Sequence, residues 1–157
     1  MIVVAIHPEF RSVKTSSQGL TGLVRAVCRR QAVSKAVVAV AIIGDPAMRR
    51  LNRRFTGRRG ATDCLSFDLS DTRDPSDKRV FEIVVNGERA LREGKARGHG
   101  PEAELALYVT HGLLHHLGFD DNTPAKARRM HRTEDEILQE LGYGVVYNDP
   151  STRRPVS

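Results

Sequence analysis

Between Leu105 and Leu117 the chain places Leu105, Leu107, Val109, Leu113, Leu114 and Leu117 on several sides of one helical stretch. A helix that is apolar around so much of its girth has to lie inside the molecule, with other elements packed about it. The same stretch carries His111 and His115. Four residues is about one turn, so both imidazoles leave the helix on one face. Gly118 ends the stretch, and Asp120 and Asp121 follow. Two imidazoles at this spacing can share one divalent ion, and a chain that reverses at Gly118 can fold a third ligand back onto it. A lone histidine here would read as a core residue bonded to a carbonyl. A pair followed by a Gly-Phe-Asp-Asp turn points to a metal. Asp121 is the third donor in this reading, with Asp120 competing for the role. His116 lies about 100° round the helix from His115 and is expected to miss the ion. His131, in a polar helix, and His99, in a loop, are expected in solvent.

The rest of the chain supplies the packing partners. Residues 2–6 read as a buried strand, and residues 17–33 as a helix capped by Ser16 or Ser17, with Leu20, Leu23, Val24 and Val27 on one side. Ala36 to Ile43 is a β-branched run closed by Gly44, hence a central strand. Asp45-Pro46 reads as a cap and first-turn proline opening a helix to about Phe55. Cys64 to Phe67 is a short strand suited to a sheet edge, and Val80 to Val85 is another strand. Helices are expected at 87–97, 101–117 and 124–141. Strands come early and helices late, which makes this an α+β domain with four strands. Residues 1–147 form one domain in this reading, and 148–157 a flexible C-terminal tail.

Composition narrows the class. Hydrophobic residues make up 39% and charged residues 28%, as in globular proteins. No apolar run approaches the ~20 residues that span a bilayer. The N-terminus lacks the basic start and cleavage site of a signal peptide, so a cytoplasmic protein without a membrane partner is expected. Cys28 and Cys64 fit that compartment as reduced thiols. The net charge is +6, and arginine supplies 20 of the 25 basic residues. Six of these arginines fall between Arg49 and Arg59. Met48, Leu51 and Phe55 keep an apolar stripe there, so the arginines populate the other faces. Guanidinium pairs bidentately with phosphate, which suits a nucleic-acid partner. Few aromatics and no tryptophan argue against a base-stacking platform.

A zinc peptidase of the H-E-x-x-H type carries its general base directly after the first histidine. Here that position is Gly112. A peptidase mechanism therefore lacks its base, whereas polarising a phosphoryl oxygen asks less of neighbouring side chains.

The run His111 to Asp121 resembles the signature of the YbeY family, H-G-x-L-H-x-x-G-Y-D-H. His111, Gly112, Leu114, His115, Gly118 and Asp120 match, and Phe119 stands for the tyrosine. Leu51-Asn52 with Phe55, and Thr62-Asp63-Cys64-Leu65-Ser66-Phe67, are similar to its L-N-x-x-Y-R and T-D-V-L-S-F segments. Phe81 to Val85 resembles its G-D-I strand, Glu104-Leu105-Ala106 leads into the histidine helix as in the family, and Met130, Glu134, Ile137 and Leu138 fit the helix that follows. The resemblance implies a zincin-like fold, a mixed four-stranded sheet packed on helices with a central metal-binding helix. It implies a metal-dependent, single-strand-specific endoribonuclease of small-subunit ribosomal RNA maturation and ribosome quality control. Its partners would be ribosomal RNA and the ribosome or small-subunit assembly proteins.

Within that resemblance His111, His115 and Asp121 are the metal ligands, and Zn2+ the expected ion. Asp121 replaces the family's third histidine. Carboxylate is the harder ligand and shifts metal choice towards manganese or iron. Asp120 is expected to orient a ligand or act on a proton. Thr56 stands where the family segment carries arginine, which leaves Arg54, Arg58 or Arg59 to bring a guanidinium to the reaction. Glu82 is a further candidate carboxylate. The alternative function is a non-catalytic ribosome-assembly factor that binds RNA and keeps a structural metal.

Overall fold

The computed structural model describes residues 1–144. The expected tail, 148–157, lies outside the described residues, as does the end of the expected domain. Nine elements follow in order: β1 (Ile2–Pro8), α1 (Ser17–Arg30), β2 (Ala36–Ile43), α2 (Asp45–Thr56), β3 (Cys64–Asp68), β4 (Arg79–Asn86), α3 (Gly87–Arg97), α4 (Pro101–His116) and α5 (Pro124–Glu140). The four strands form one mixed sheet in the order β1-β2-β4-β3. β1, β2 and β4 run parallel, and β3 returns antiparallel beside β4. Among the described residues no helix is long and apolar enough to cross a membrane.

Alternation along the inner strands sends side chains to two layers. Val38, Val40 and Ile42 of β2 and Phe81, Ile83 and Val85 of β4 face the large core beneath α1 and α4. Ile43 and Val84 point the other way and meet Met48 of α2, with Leu51, Leu65 and Phe67 around them. α5 packs on the far side of α4. The apolar girth of α4 thus finds neighbours on every side, and eleven of its residues from Ala103 to Leu114 are buried.

Two local expectations change. β1 is an edge strand with a half-exposed pattern rather than a buried one, because only β2 pairs with it in the sheet. Gly44, not Asp45, is the N-cap of α2. The Asp45 carboxylate instead accepts from Asn86 Nδ2 at 2.8 Å and pairs with Arg92. Asn86 is itself fully buried; its Oδ1 caps α3 by accepting from Arg89 N, and its Nδ2 also donates to the Thr62 carbonyl.

Candidate metal centre

α4 lies hard against the edge of the sheet. A Cβ at Gly112 would stand 2.9 Å from Cys64 Sγ, 3.3 Å from Ile83 Cγ2 and 3.4 Å from Ser66 Cβ. Gly112 points at β3 and β4, so His111 and His115 turn towards the solvent side, and both are part-exposed. Their Nε2 atoms face each other at 3.1 Å with the rings nearly perpendicular at 87°. Asp121 Oδ2 stands 3.8 Å from His111 Nε2 and 3.7 Å from His115 Nε2. A tetrahedral ion with bonds of about 2.0–2.1 Å holds its ligand atoms roughly 3.3 Å apart. The three donors match that spacing, and they are the nitrogen and oxygen types that zinc and other first-row ions accept.

The turn that delivers Asp121 is built locally. Leu117 and Phe119 donate their N–H groups to the Leu114 carbonyl, and Gly118 takes a φ of 96°, in the left-handed region that glycine enters without strain. Asp120 Oδ1 accepts from the N–H groups of Asp121, at 2.7 Å, and Asn122, at 3.2 Å. Thr123 then caps α5 through Lys126 N. Asp120 therefore sets the backbone that aims Asp121.

His111 is fixed from behind. Its Nδ1 bonds Glu134 Oε2 at 3.1 Å, while His131 Nδ1 bonds Glu134 Oε1 at 2.7 Å. Proton on Nδ1 leaves the Nε2 lone pair of His111 facing His115 and Asp121, the tautomer that an ion requires. The Glu134 side chain is fully buried. Burial pushes its pKa up, but the bonds from His111 and His131 outweigh this and hold it below the usual range. Burial likewise lowers the His111 pKa, but Glu134, with the charges of Asp63 and Asp121, outweighs this and leaves it raised. His115 is lowered, by burial and then by the neighbouring His111. His111, His131 and Glu134 also lie close enough to form a second metal-capable group. Their proximity follows from the two hydrogen bonds on one carboxylate, so this group braces His111.

Several sequence expectations are corrected. His131 is half-buried rather than in solvent, with its ring stacked on His111 at 6.2 Å. His99 is also half-buried and bonds the buried Glu104 at 2.8 Å. Glu82 is exposed and shares the strand face of Val84, opposite to Ile83, so it points away from α4. His116 misses the cluster, as helical geometry requires; its Nε2 lies 3.0 Å from Ser66 Oγ and its ring stacks on Phe81. The bracing role of Glu134 was not read from the sequence. Its signal is an acidic residue three positions after His131, inside the stripe of Met130, Ile137 and Leu138.

The arginine segment divides in two. Arg49, Arg50, Arg53 and Arg54 are exposed on α2, on the sheet face opposite α4, and Arg54 lies over the Phe55 ring at 5.4 Å. Arg58 and Arg59 are exposed on the loop from α2 to β3. Asn86 holds that loop by its Thr62 and Asp63 carbonyls, and the Asp63 charge acts on His111. The Thr56 hydroxyl turns back to Asn52, 2.6 Å from its carbonyl oxygen and 2.7 Å from its Oδ1.

The profile of the family described as Endoribonuclease YbeY matches residues 6–142. A relative of that name from Anaeromyxobacter sp. (strain Fw109-5) is 35% identical over 136 residues, 87% of this chain and 69% of the relative. One from Nocardioides sp. (strain ATCC BAA-499 / JS614) is 33% identical, over 76% of this chain and 85% of the relative. One from Myxococcus xanthus (strain DK1622) is 36% identical over 78% of this chain, which spans only 42% of that longer protein. The solution structure of TM1509 from Thermotoga maritima shares the fold, with a TM-score of 0.57 at 22% identity over 89% of this chain and 91% of that one. Together with the histidine turn already described, these matches show that the chain belongs to the YbeY family.

Proposed function

We propose that this chain is a metal-dependent endoribonuclease that cuts single-stranded RNA by hydrolysis. The converging triangle of His111, His115 and Asp121 carries the reading, in a family whose named relatives are endoribonucleases. A divalent ion held by these three, zinc in this reading, would make water a nucleophile near neutral pH and polarise a phosphoryl oxygen. Glu134 holds His111 in the ligand tautomer. Asp120 holds Asp121 in place through the two N–H groups it accepts. Arg54 of α2, or Arg58 or Arg59 of the loop from α2 to β3, binds phosphate and supplies the guanidinium that Thr56 cannot. Small-subunit ribosomal RNA in the cytoplasm is the substrate in this reading, with the ribosome or its assembly proteins as partners.

The solvent exposure of His115 and Asp121 favours catalysis over the alternative of an assembly factor with a structural metal, which needs a closed shell. The absence of space at Gly112 for a glutamate base speaks against peptide hydrolysis. The test is the divalent metal content of wild type and His115→Ala after dialysis, together with cleavage of a single-stranded ribosomal RNA fragment, its duplex form and a peptide. Metal and single-strand cleavage should be lost together in the variant. Equal metal in the two proteins, or intact RNA with the metal-loaded wild type, overturns the reading.

A further inference from the structure

Hydrolysis needs a group that takes a proton from the attacking water. The carboxylates that act on His111 and His115 come from two sides. Glu134 lies behind His111 on α5, with one oxygen on each histidine Nδ1. Asp121 belongs to the donor triangle. Asp120 Oδ1 is held by two backbone N–H groups of its own turn. These three stand on α5 and on the turn that leads into it. Asp63 stands on the other side, at the start of β3.

Two contacts fix how β3 runs along α4. Cys64 Sγ meets Gly112, and Ser66 Oγ lies 3.0 Å from His116 Nε2. Two strand residues advance about 6.6 Å and four helix residues about 6 Å, so the elements run side by side in one direction. One strand step back from Cys64, about 3.3 Å, reaches the level of Thr110 and His111. Asp63 occupies that step, and the chain bends there. Successive carbonyls of an extended strand point to opposite sides. Here Asn86 takes both, its backbone N–H donating to the Asp63 carbonyl at 2.9 Å and its Nδ2 to the Thr62 carbonyl at 3.2 Å. The alternation of β3 therefore ends at Cys64, and the Asp63 side chain is not bound to the α2 face of the sheet. Asn86 is fully buried and tied to Asp45, so the bend has a fixed anchor. The half-buried Asp63 carboxylate accepts from the Thr62 hydroxyl at 3.4 Å. Against the lowering effect of burial, its charge joins Glu134 in raising the His111 pKa.

We propose that Asp63, facing the histidine pair from the β3 side, is the general base of RNA hydrolysis. The water oxygen bonds to phosphorus as the bond from phosphorus to the leaving ribose oxygen breaks. The water proton passes to the Asp63 carboxylate and from there to the leaving oxygen, so the carboxylate ends as it began. The inference rests on the reading of the chain as an RNA-cleaving enzyme. It also gives the contact between Gly112 and Cys64 a use, because a side chain at 112 would push β3, and Asp63 with it, away from His111.

The experiment measures kcat and KM for a single-stranded ribosomal RNA fragment, metal content after dialysis, and metal affinity by competition with a chelating dye. The metal-loaded full chain is compared with Asp63→Asn, Asp63→Glu and Asp63→Ala. In Asp63→Asn kcat should fall by about 10²–10⁴-fold, the usual share of a general base. Its KM should be unchanged or lower, because the removed charge repels phosphate. Its metal content should match that of wild type. Formate should restore part of the Asp63→Ala rate in proportion to its concentration, and chloride at equal ionic strength should not. Asp63→Glu should fall between wild type and Asp63→Asn. If Asp63→Ala folds poorly, Asp63→Asn carries the test, since its amide oxygen still accepts from Thr62. A kcat within about tenfold of wild type in Asp63→Asn overturns the proposal. Loss of metal to the extent seen in His115→Ala also overturns it, by making Asp63 a ligand. So does a rate loss that neither formate nor Asp63→Glu relieves, which is the mark of a packing role. If metal-loaded wild type leaves the RNA intact, the reading of the chain as an RNA-cleaving enzyme falls and the base falls with it. If wild type and Asp63→Asn cleave alike, the base alone falls.

Discussion

Gly112 of α4 and Cys64 of β3 touch so closely that a Cβ at position 112 would stand 2.9 Å from the sulfur. This contact explains why the residue after the first histidine has no side chain, and it makes the distance between the histidine helix and the sheet edge a packing constraint. Burial raises the Cys64 thiol pKa, so the sulfur acts there as a neutral apolar group.

Gly112→Ala should therefore destabilise the protein despite the better helix propensity of alanine. Overpacking costs about 1–3 kcal/mol, and the propensity gain offsets up to about 1 kcal/mol. Cys64→Ala in the same chain should remove much of the penalty. Denaturant midpoints of wild type, both single variants and the double variant form a cycle that measures the coupling. Simple additivity would mean that the two residues do not press on each other.

Glu134→Gln should weaken metal binding by about 10–100-fold, the usual effect of losing a carboxylate behind a ligand histidine. The amide has one acceptor oxygen for two Nδ1–H groups, so either His111 or His131 loses its partner. His131→Ala should have a smaller effect in the same direction, since it frees Glu134 Oε1 but leaves Oε2 on His111. Competition with a chelating dye reads both affinities. Unchanged affinity in Glu134→Gln would show that His111 needs no orienting partner.

Asp121→His should keep the three-donor triangle and move preference from manganese towards zinc, because imidazole is the softer ligand. Metal competition on the purified variant checks this. An unchanged preference would place Asp121 outside the ligand set, and Asp120 is then the next residue to vary.

The main elements and the histidine pair were legible because each depends on local pattern. Ala36 to Ile43 is an apolar run rich in valine and isoleucine and became β2; Pro101 and Pro124 opened α4 and α5; Gly118 ended the histidine helix in a left-handed turn. What was not legible depends on where separate segments meet. β1 has the composition of a buried strand, and only the sheet order makes it an edge. His131 looks solvated on a polar helix until α5 docks on α4 and places its ring beside His111. Glu82 sits in a strand whose register, not its composition, turns it from the cluster. Asp45 reads as a cap by residue type, yet the buried Asn86 and Arg92 draw its carboxylate away from the helix end.

That displaced carboxylate gives a pH prediction. Asp45 joins the start of α2 to Asn86, which also caps α3 and holds the Thr62 carbonyl of the arginine loop. The Arg92 guanidinium beside it, opposed by burial and helped by the Asn86 amide, holds its pKa below the usual carboxylate range. An unfolded aspartate titrates near about 3.9. A depressed folded value means that the stabilisation is present in full above the unfolded pKa and is lost as pH falls through the folded pKa. Asp45→Asn should therefore cost stability at pH 7 and progressively less below about pH 4. Arg92 is more than half exposed, so the charge part is about 1 kcal/mol or less. Urea midpoints of wild type and variant should converge on the acid side, and Arg92→Gln should reproduce the convergence with Asp45 intact. Curves that stay parallel from pH 7 to pH 3 would mean that the Asp45 charge contributes nothing and that only its hydrogen bond to Asn86 holds the loop.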